Sequence, residues 1–422
     1  MRTNLKITAL LASLTLLTGC GALNNTASES TQTANYAAAQ TETNDTIAAT
    51  GETTAAAVSD IPDCCGGGEI GTGDCCTTDA NGEKDCCTTD SAAAAVTRGE
   101  PEKKDISLGY LNSTAHLLAF VAQEEGYFAE EGLNVTLTQF SSAGELVNGL
   151  ESGKLDLAFI GSVPTLTFQS QGHDVSIIGG AMTNGHGYVI KSQFAEQDEQ
   201  GVEILKGRNV ASVKNSVQDA ELQILLKNAN IEIGEGEDKV NIVYFDSQKD
   251  AYAALSNQSI DAASVYSPYA SLAKSQGYKV VYYCAHEKAL ENQPCCRQVA
   301  STASVKANPN TFTAVERAFL KAYHLTQSDH EKTIEDVKKY IDIDKEFIDT
   351  EVYGGYSVSS PDPDKQGTLT LKQTIVDLGY TTDYDIEPLY NTAIYKAALD
   401  SILAESSDEI YKSLEAHFNA YE

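Results

Sequence analysis

Three cysteines and a histidine stand close together in one short stretch of the chain. The sequence reads YYCAHEKALENQPCCRQVAS over residues 282–301, so Cys284 and His286 precede the adjacent pair Cys295 and Cys296. Thiolate and imidazole groups suit zinc, copper and iron–sulfur species better than magnesium or calcium. The stretch therefore predicts a site for a thiophilic metal, with these three cysteines and this histidine as candidate ligands.

A disulfide is the alternative interpretation of the same cysteines. An exported protein can oxidise its thiols, and Cys284 could then pair with Cys295 or Cys296. Adjacent residues of an extended strand point to opposite sides, so we expect one of the two adjacent cysteines to face a cleft. The sequence leaves metal contact and disulfide formation both open.

Six more cysteines lie upstream in Asp-Cys-Cys units that recur every 11 residues. These cysteines are Cys64, Cys65, Cys75, Cys76, Cys86 and Cys87. The surrounding residues 21–104 are rich in Thr, Ala, Ser, Asn and Gly, and too few are large and apolar to offset the entropy cost of ordering. We therefore predict a flexible stalk over 21–104, whose paired cysteines act as auxiliary ligands for the cargo of the folded part.

The first twenty residues have the pattern of an export signal. Two basic residues precede an apolar run at 7–17, which is too short to anchor the chain in a bilayer. The ending Leu-Thr-Gly-Cys resembles the lipobox of bacterial lipoproteins, in which the cysteine carries the lipid. The resemblance implies a signal peptide over 1–20, lipid on Cys20 and a location on the outer face of the bacterial cytoplasmic membrane.

The charge balance excludes one class of partner. The chain has 60 acidic and 29 basic residues, and its net charge is −31. A chain this acidic repels phosphate backbones, so we expect no nucleic-acid partner.

From Asp105 onward, short apolar runs alternate with amphipathic helical runs. A first series runs to about residue 192, and a second resumes after Gly207 with helices predicted near 217–229 and 247–257. Repeated β-α units predict mostly parallel sheets with helices on both faces, and two such series are too long for one core. We therefore predict two α/β lobes, followed by a mostly helical tail at 308–422.

Serines follow several of the predicted strands and mark helix starts. Ser142 and Ser216 are each followed three residues later by an acidic residue, which predicts capping boxes. Ser162, and either Ser113 or Thr114, are expected to cap two more helices. In open α/β sheets such helix starts line the ligand crevice, and their free N–H groups favour an anionic or hydrogen-bond-accepting ligand.

Four stretches of the chain have a familiar pattern: LNSTAHLLAFVAQEEGYFAEEGLNVTL (111–137), ESGKLDLAFIGSVPTL (151–166), SIDAASVYSPYA (259–270) and KQTIVDLGYTTDYDI (372–386). In these stretches the chain resembles the solute-binding proteins of the nitrate, sulfonate, taurine and thiamine-pyrimidine-precursor importers. The resemblance covers about 105–422 and implies a type II periplasmic-binding-protein fold, in which two lobes close over a small ligand. By position, lobe 1 comprises 105–192 plus 301–422, and lobe 2 comprises 193–300.

The same resemblance implies a set of cleft residues. They are His116, Ser141, Ser142, Gly161, Ser162, Asn184, Asn215, Ser216 and Tyr266. We add His186 in a predicted cleft loop, and Arg297 as an arginine expected near the cleft. The chain has no Trp and no evident Arg pair, which argues against a stacked pyrimidine and a bidentate grip on sulfonate. Relatives that handle pyrimidine precursors have an iron-associated cysteine cluster, which Pro-Cys-Cys-Arg-Gln matches in part.

These observations predict a lipid-anchored, extracytoplasmic binding protein of an ABC-type importer, with permease and ATPase subunits as partners. It is expected to perform no catalysis and to have no resident cofactor. Its cargo is predicted to be a thiophilic metal or iron–sulfur species held by the paired cysteines. The alternatives are a sulfonate, nitrate or pyrimidine precursor with the cysteines in disulfides, a metal-storage or sensor lipoprotein, and an enzyme resembling pyrimidine-precursor synthases.

Overall fold

A computed structural model describes residues 77–78, 84–85 and 99–422. The predicted signal peptide, Cys20 and all six stalk cysteines lie outside these residues. The chain divides into two compact units, Met1–Cys87 and Thr88–Glu422. In the first unit, Thr77–Thr78 and Lys84–Asp85 form a two-stranded antiparallel sheet. Everything below concerns the second unit.

Strands and helices alternate through most of the second unit, as predicted. With the two short strands as β1 and β2, the remaining strands are β3 (Asp105–Tyr110), β4 (Asn134–Gln139), β5 (Leu157–Gly161), β6 (Val175–Asn184), β7 (His186–Ile190), β8 (Arg208–Val213), β9 (Val240–Phe245), β10 (Ala262–Tyr266), β11 (Lys279–Tyr283), β12 (Pro294–Ser301) and β13 (Ser357–Ser359). The helices are α1 (Leu117–Glu124), α2 (Tyr127–Glu130), α3 (Ala143–Glu151), α4 (Ser162–Ser170), α5 (Val217–Asn228), α6 (Gln248–Ser256), α7 (Tyr269–Ser275), α8 (Thr302–Ala307), α9 (Pro309–Ser328), α10 (His330–Lys338), α11 (Lys345–Tyr353), α12 (Lys365–Asp377), α13 (Ala393–Leu403) and α14 (Glu409–Tyr421). Short 3-10 helices add Thr114–His116, Ser192–Phe194, Val202–Leu205, Cys284–His286, Lys288–Leu290 and Glu387–Leu389.

The strands form two sheets, which confirms the two-lobed α/β prediction. One sheet has the order β13-β6-β12-β5-β3-β4 and the other β11-β7-β10-β8-β9. Both sheets are mixed rather than mostly parallel as predicted: β3 runs parallel to β4 and β5, and β8 runs parallel to β9 and β10, but the other pairings are antiparallel. Strands β6, β7 and β12 run antiparallel to their neighbours, because they carry the chain between the lobes.

The chain crosses between the lobes at two points. It leaves the first sheet at Asn184 and enters the second at His186, with only Gly185 between, and it returns at Pro294. The strands therefore change lobe several residues before the boundaries expected at 192/193 and 300/301. Gly185 has φ +88°, a backbone conformation that residues with a side chain rarely adopt, so this crossing favours glycine.

The folded body begins before the predicted end of the stalk at residue 104. The Glu102 carboxylate accepts hydrogen bonds from the backbone N–H groups of Asn310 and Thr311, at 3.1 and 2.8 Å. Lys103 Nζ lies 2.6 Å from the Asp156 carboxylate. These residues fix the N-terminal entry to the first lobe.

Each lobe has its own apolar core, and the helical tail completes the first. Phe120, Phe159 and Phe319 are fully buried between α1, β5 and α9. Tyr188 and Tyr282 are buried in the second lobe. Across the described part of the chain, no helix combines the length and apolarity needed to cross a membrane.

One acidic side chain is buried inside the first lobe. Glu316 on α9 is fully buried, and Gln298 Nε2 donates to its Oε2 at 3.2 Å. Among the described residues, its Oε1 has no hydrogen-bond partner. Burial raises the pKa of Glu316 well above its usual range, and the Gln298 hydrogen bond opposes this shift only in part.

We expect Glu316→Gln to change how stability depends on pH. A raised carboxyl pKa means that the folded state binds the proton more tightly than the unfolded state. The stabilisation that this proton gives the folded state is therefore fully present below about pH 4.3, and it is lost as pH rises toward the pKa of Glu316 in the folded state. At pH 8 the variant should be more stable than the parent by about 1 kcal/mol or more. Urea unfolding at pH 5 and pH 8, with Glu409→Gln as an exposed control, measures the effect; equal pH slopes for parent and variant would contradict it.

Candidate functional site

A cleft of about 290 Å³ lies between the two lobes. It is lined by strand ends and helix starts of both sheets. The predicted site residues that line it are His116, Ser141, Ser142, Gly161, His186, Asn215, Ser216, Tyr266, Cys295 and Cys296. The sequence therefore identified residues on both walls of this cleft.

The two predicted capping boxes are confirmed, and both border the cleft. Ser142 Oγ accepts from the Glu145 N–H at 3.3 Å, while Glu145 Oε2 accepts from the Ser141 N–H at 2.9 Å. Ser216 Oγ accepts from the Asp219 N–H at 3.1 Å at the start of α5. Each box fixes the entry of its helix and directs first-turn N–H groups to the ligand space.

A third capped helix start was missed. Ser247 precedes α6 and accepts from the Asp250 N–H at 3.2 Å, and it lines the cleft together with Gln248. The signal was present in the sequence, because Ser-Gln-Lys-Asp has the same spacing as the two predicted boxes. Lys214 and Asp246 also line this wall, so the cleft contains charges of both signs.

Two of the predicted helix-start residues have other roles. Ser162 is the first residue of α4 and is fully buried, and Gly161 occupies the cap position without a side-chain bond. The expected cap by Ser162 is therefore wrong. Ser113 rather than Thr114 caps the turn before α1, since Ser113 Oγ accepts from the Ala115 N–H at 3.2 Å. Thr114 Oγ1 instead donates to Ser267 Oγ at 2.7 Å.

Asn184 and Arg297 do not line the cleft, contrary to expectation. Asn184 Nδ2 donates to the Leu290 carbonyl at 2.8 Å, which ties the two crossing segments together. Arg297 is 1% exposed and lines a separate cavity of about 830 Å³. Its guanidinium donates to the Cys296 carbonyl at 2.9 Å and lies 3.5 Å from the Asp364 carboxylate. Arg297 therefore packs between β12 and α12, where the Asp364 carboxylate balances its charge.

Both adjacent cysteines face the cleft, which corrects the expectation that their side chains diverge. The pairing of β12 with β6 shifts register between Pro294 and Cys296 and again between Cys296 and Arg297. The irregular backbone brings Cys295 Sγ within 3.2 Å of Cys296 Sγ. Both are free thiols, as is Cys284, so the alternative interpretation of a disulfide is not met among the described residues. A disulfide would need sulfurs about 2.05 Å apart.

A chain of buried polar contacts leads from the second lobe to this thiol pair. Glu221 Oε1 on α5 lies 3.0 Å from His186 Nδ1. His186 Nε2 lies 3.2 Å from Cys295 Sγ. His116 lines the same cleft and interacts with Cys296, and its Nδ1 lies 3.1 Å from the Leu111 backbone nitrogen. The contacts thus place two imidazoles around two adjacent thiols.

The environment drives the pKa values of the two thiols apart. A hydrogen bond from Cys295, aided by His116 and His186, lowers the pKa of Cys296 well below its usual range, against the effect of burial. Burial raises the pKa of Cys295 well above its usual range, and the interaction with Cys296 adds to the increase. Burial opposes the imidazolium form of His186, but the Glu221 charge raises the His186 pKa well above its usual range. Of the two thiols, Cys296 is therefore the one that ionises more readily.

His286 does not belong to the site, contrary to the predicted ligand set. Its Nδ1 lies 2.8 Å from Glu199 Oε2, and its side chain is 44% exposed. Cys284 is buried behind the cleft, where its Sγ accepts the His186 backbone N–H at 3.2 Å. Glu221 was missed, although it occupies a position in line with the apolar residues Val217 and Leu225 of α5. A carboxylate on the apolar face of a helix indicates that the carboxylate has a buried partner.

The lowered pKa of Cys296 predicts unequal thiol reactivity. The thiolate is the nucleophile, so in chelator-treated protein the rate of Cys296 modification by iodoacetamide should rise less steeply with pH between pH 6 and 8 than the rate of Cys284 modification. His116→Ala should slow the Cys296 reaction several-fold at pH 6, and His286→Ala should leave it unchanged. Site-resolved mass spectrometry measures both rates. A Cys296 rate that climbs with pH as steeply as that of Cys284 would contradict the assignment.

Comparisons with known proteins agree with this architecture. The model of the NMT1-like family matches residues 99–341. A Bacillus subtilis protein named for binding aliphatic sulfonates is 29% identical over 175 residues, which cover 40% of this chain and 50% of that protein. The Bacillus subtilis binding protein YtlA is 24% identical over 295 residues, covering 68% of this chain and 86% of that protein.

A solved structure supports the fold directly. The periplasmic nitrate-binding protein NrtA from Synechocystis PCC 6803 superposes with a TM-score of 0.63 at 16% identity, covering 77% of this chain and 100% of that one. The chain spans half the length of the sulfonates-binding relative and most of the length of YtlA. These matches confirm the predicted periplasmic-binding-protein fold.

Proposed function

This chain belongs to the NMT1-like family, and from that membership we propose that it is the extracytoplasmic binding component of an ABC-type importer. The observation that carries the proposal is the cleft itself, which is lined from both lobes and includes residues at both crossings of the chain, His186 and Cys295. We propose permease and ATPase subunits as its partners and lipid on Cys20 as its link to the membrane.

Ligand capture would proceed by closure of the lobes. Side chains already bridge them: Ser271 on α7 donates to Glu351 Oε1 on α11 at 2.6 Å, and Gln223 on α5 donates to Tyr380 at 2.7 Å. A ligand shifts the balance between open and closed forms only if it binds one of them better. Residues that touch the ligand from both walls, such as Ser142 and Ser216, supply that difference.

For the cargo, we propose a thiophilic metal ion or an iron–sulfur species contacted by Cys295 and Cys296. The support is the 3.2 Å approach of the two thiols, the low pKa of Cys296 and the two flanking imidazoles, His116 and His186. Soft thiolate and imidazole donors together select such species. The stalk cysteines would act as auxiliary ligands that deliver the cargo.

A small oxyanion or organic ligand is the second candidate. Three capped helix starts, at Ser142, Ser216 and Ser247, border the cleft and favour negative charge or hydrogen-bond acceptors. A nitrate, sulfonate or pyrimidine precursor would bind there beside free thiols. Arg297 lies outside the cleft, so no arginine contact from that position is available for a sulfonate.

Ligand-induced melting shifts separate these candidates. The full chain is purified without oxygen, analysed for metal and acid-labile sulfide, and then screened against nitrate, sulfonates, pyrimidines, metal ions and iron–sulfur donors. A ligand present at 100 times its Kd should stabilise the folded form by about 2.7 kcal/mol. We expect metal ions or iron–sulfur donors to give the shift and Cys296→Ser to weaken binding at least about ten-fold, or 1.4 kcal/mol.

The matched control is His286→Ala, because His286 lies outside the cleft. A nitrate or sulfonate shift that survives Cys296→Ser but is lost in Ser216→Ala would establish the second candidate instead. Turnover of the bound compound that disappears in His116→Ala would establish an enzyme. A protein that binds none of these compounds would overturn the binding function.

A further inference from the structure

Three metal-binding side chains converge inside the second lobe, behind the cleft. His186 on β7, Glu221 on α5 and Cys284 after β11 each place one ligand atom within 4.8 Å of the others. All three are buried, and Cys284 and Glu221 do not line the cleft. The elements that supply them are far apart in the sequence, so the fold builds this cluster.

The contacts within the cluster leave donor capacity unused. Glu221 Oε1 accepts from Gln293 Nε2 at 3.2 Å and lies 3.0 Å from His186 Nδ1. Its second oxygen, Oε2, is buried and has no hydrogen-bond partner among the described residues. A buried carboxylate oxygen without a partner is costly unless a cation or donor satisfies it.

We propose that His186, Glu221 and Cys284 bind a divalent transition-metal ion of the zinc class. One nitrogen, one carboxylate oxygen and one thiolate form a donor set that zinc accepts, with ligand bonds of about 2.0 to 2.3 Å. A divalent charge also offsets the charges of the Glu221 carboxylate and the Cys284 thiolate, which leaves the buried site neutral. Small side-chain shifts bring the three atoms to bonding distance.

The ion would also fix the histidine that reaches the cleft. With Nδ1 of His186 on the metal, Nε2 would still face Cys295 Sγ, which lies 3.2 Å from it in this structure. A ligating imidazole is commonly oriented by a partner at its other nitrogen. This site thus stabilises the second lobe and positions Cys295, whatever ligand the cleft binds. It does not depend on the proposed cargo.

Cobalt provides a spectroscopic test. The full chain is used with the seven cysteines before residue 99 and the two cleft cysteines, Cys295 and Cys296, replaced by serine, so that Cys284 is the one thiol left. This background protein is treated with chelator and titrated with Co²⁺. We expect one equivalent to give a thiolate-to-cobalt charge-transfer band, which Zn²⁺ abolishes. Cys284→Ser should remove the band, and Glu221→Gln should weaken cobalt binding at least about ten-fold. His286→Ala should retain both band and affinity.

Circular dichroism and melting of each variant exclude misfolding as the cause. Cys284→Asp gives a second check, because it should keep the visible cobalt bands while losing the charge-transfer band. The absence of any band in the background protein would overturn the proposal. A Glu221→Gln variant that binds cobalt as tightly as the background protein would overturn it as well.

Discussion

The cleft depends on the irregular pairing of β12 with β6. In a regular strand, Cys295 and Cys296 would point to opposite faces of the sheet, and only one could reach a ligand. The register shifts on either side of Cys296 turn both thiols toward the same space, 3.2 Å apart. Such irregularities re-aim side chains and are common next to functional sites. Because β12 lies between β5 and β6, the rest of the first lobe holds this local geometry in place.

Local sequence rules identified the parts of the structure that depend on local energetics. The helices predicted near 217–229 and 247–257 are α5 and α6, and the capping boxes of Ser142 and Ser216 have the expected hydrogen bonds. A cap is formed by residues three positions apart, so its signal is complete within the sequence. The alternation of short apolar runs and helices likewise sufficed for the two α/β lobes.

The errors concern contacts between distant segments. His286 is near the cysteines in sequence, yet the turn after β11 directs it to Glu199 at the surface. Glu221 is 35 residues from His186 and still becomes its partner. Arg297 is adjacent to Cys296, but it packs against Thr368 and Asp364 on the other side. Side-chain direction at a crossing strand depends on register, which composition and spacing do not determine.

Gly185, the single residue between β6 and β7, has a consequence for the contacts in the cleft when the two lobes move. His186 begins the second sheet, whereas Cys295 belongs to the first, so their 3.2 Å contact spans the joint at Gly185. Rotation of one lobe relative to the other therefore changes the distance between the His186 imidazole and the Cys295 sulfur. In the open, ligand-free form, the thiol pair would then lose its contact with His186 and be exposed to oxidants. A bound ligand would shield the same sulfurs, so ligand binding would also protect the protein from oxidation.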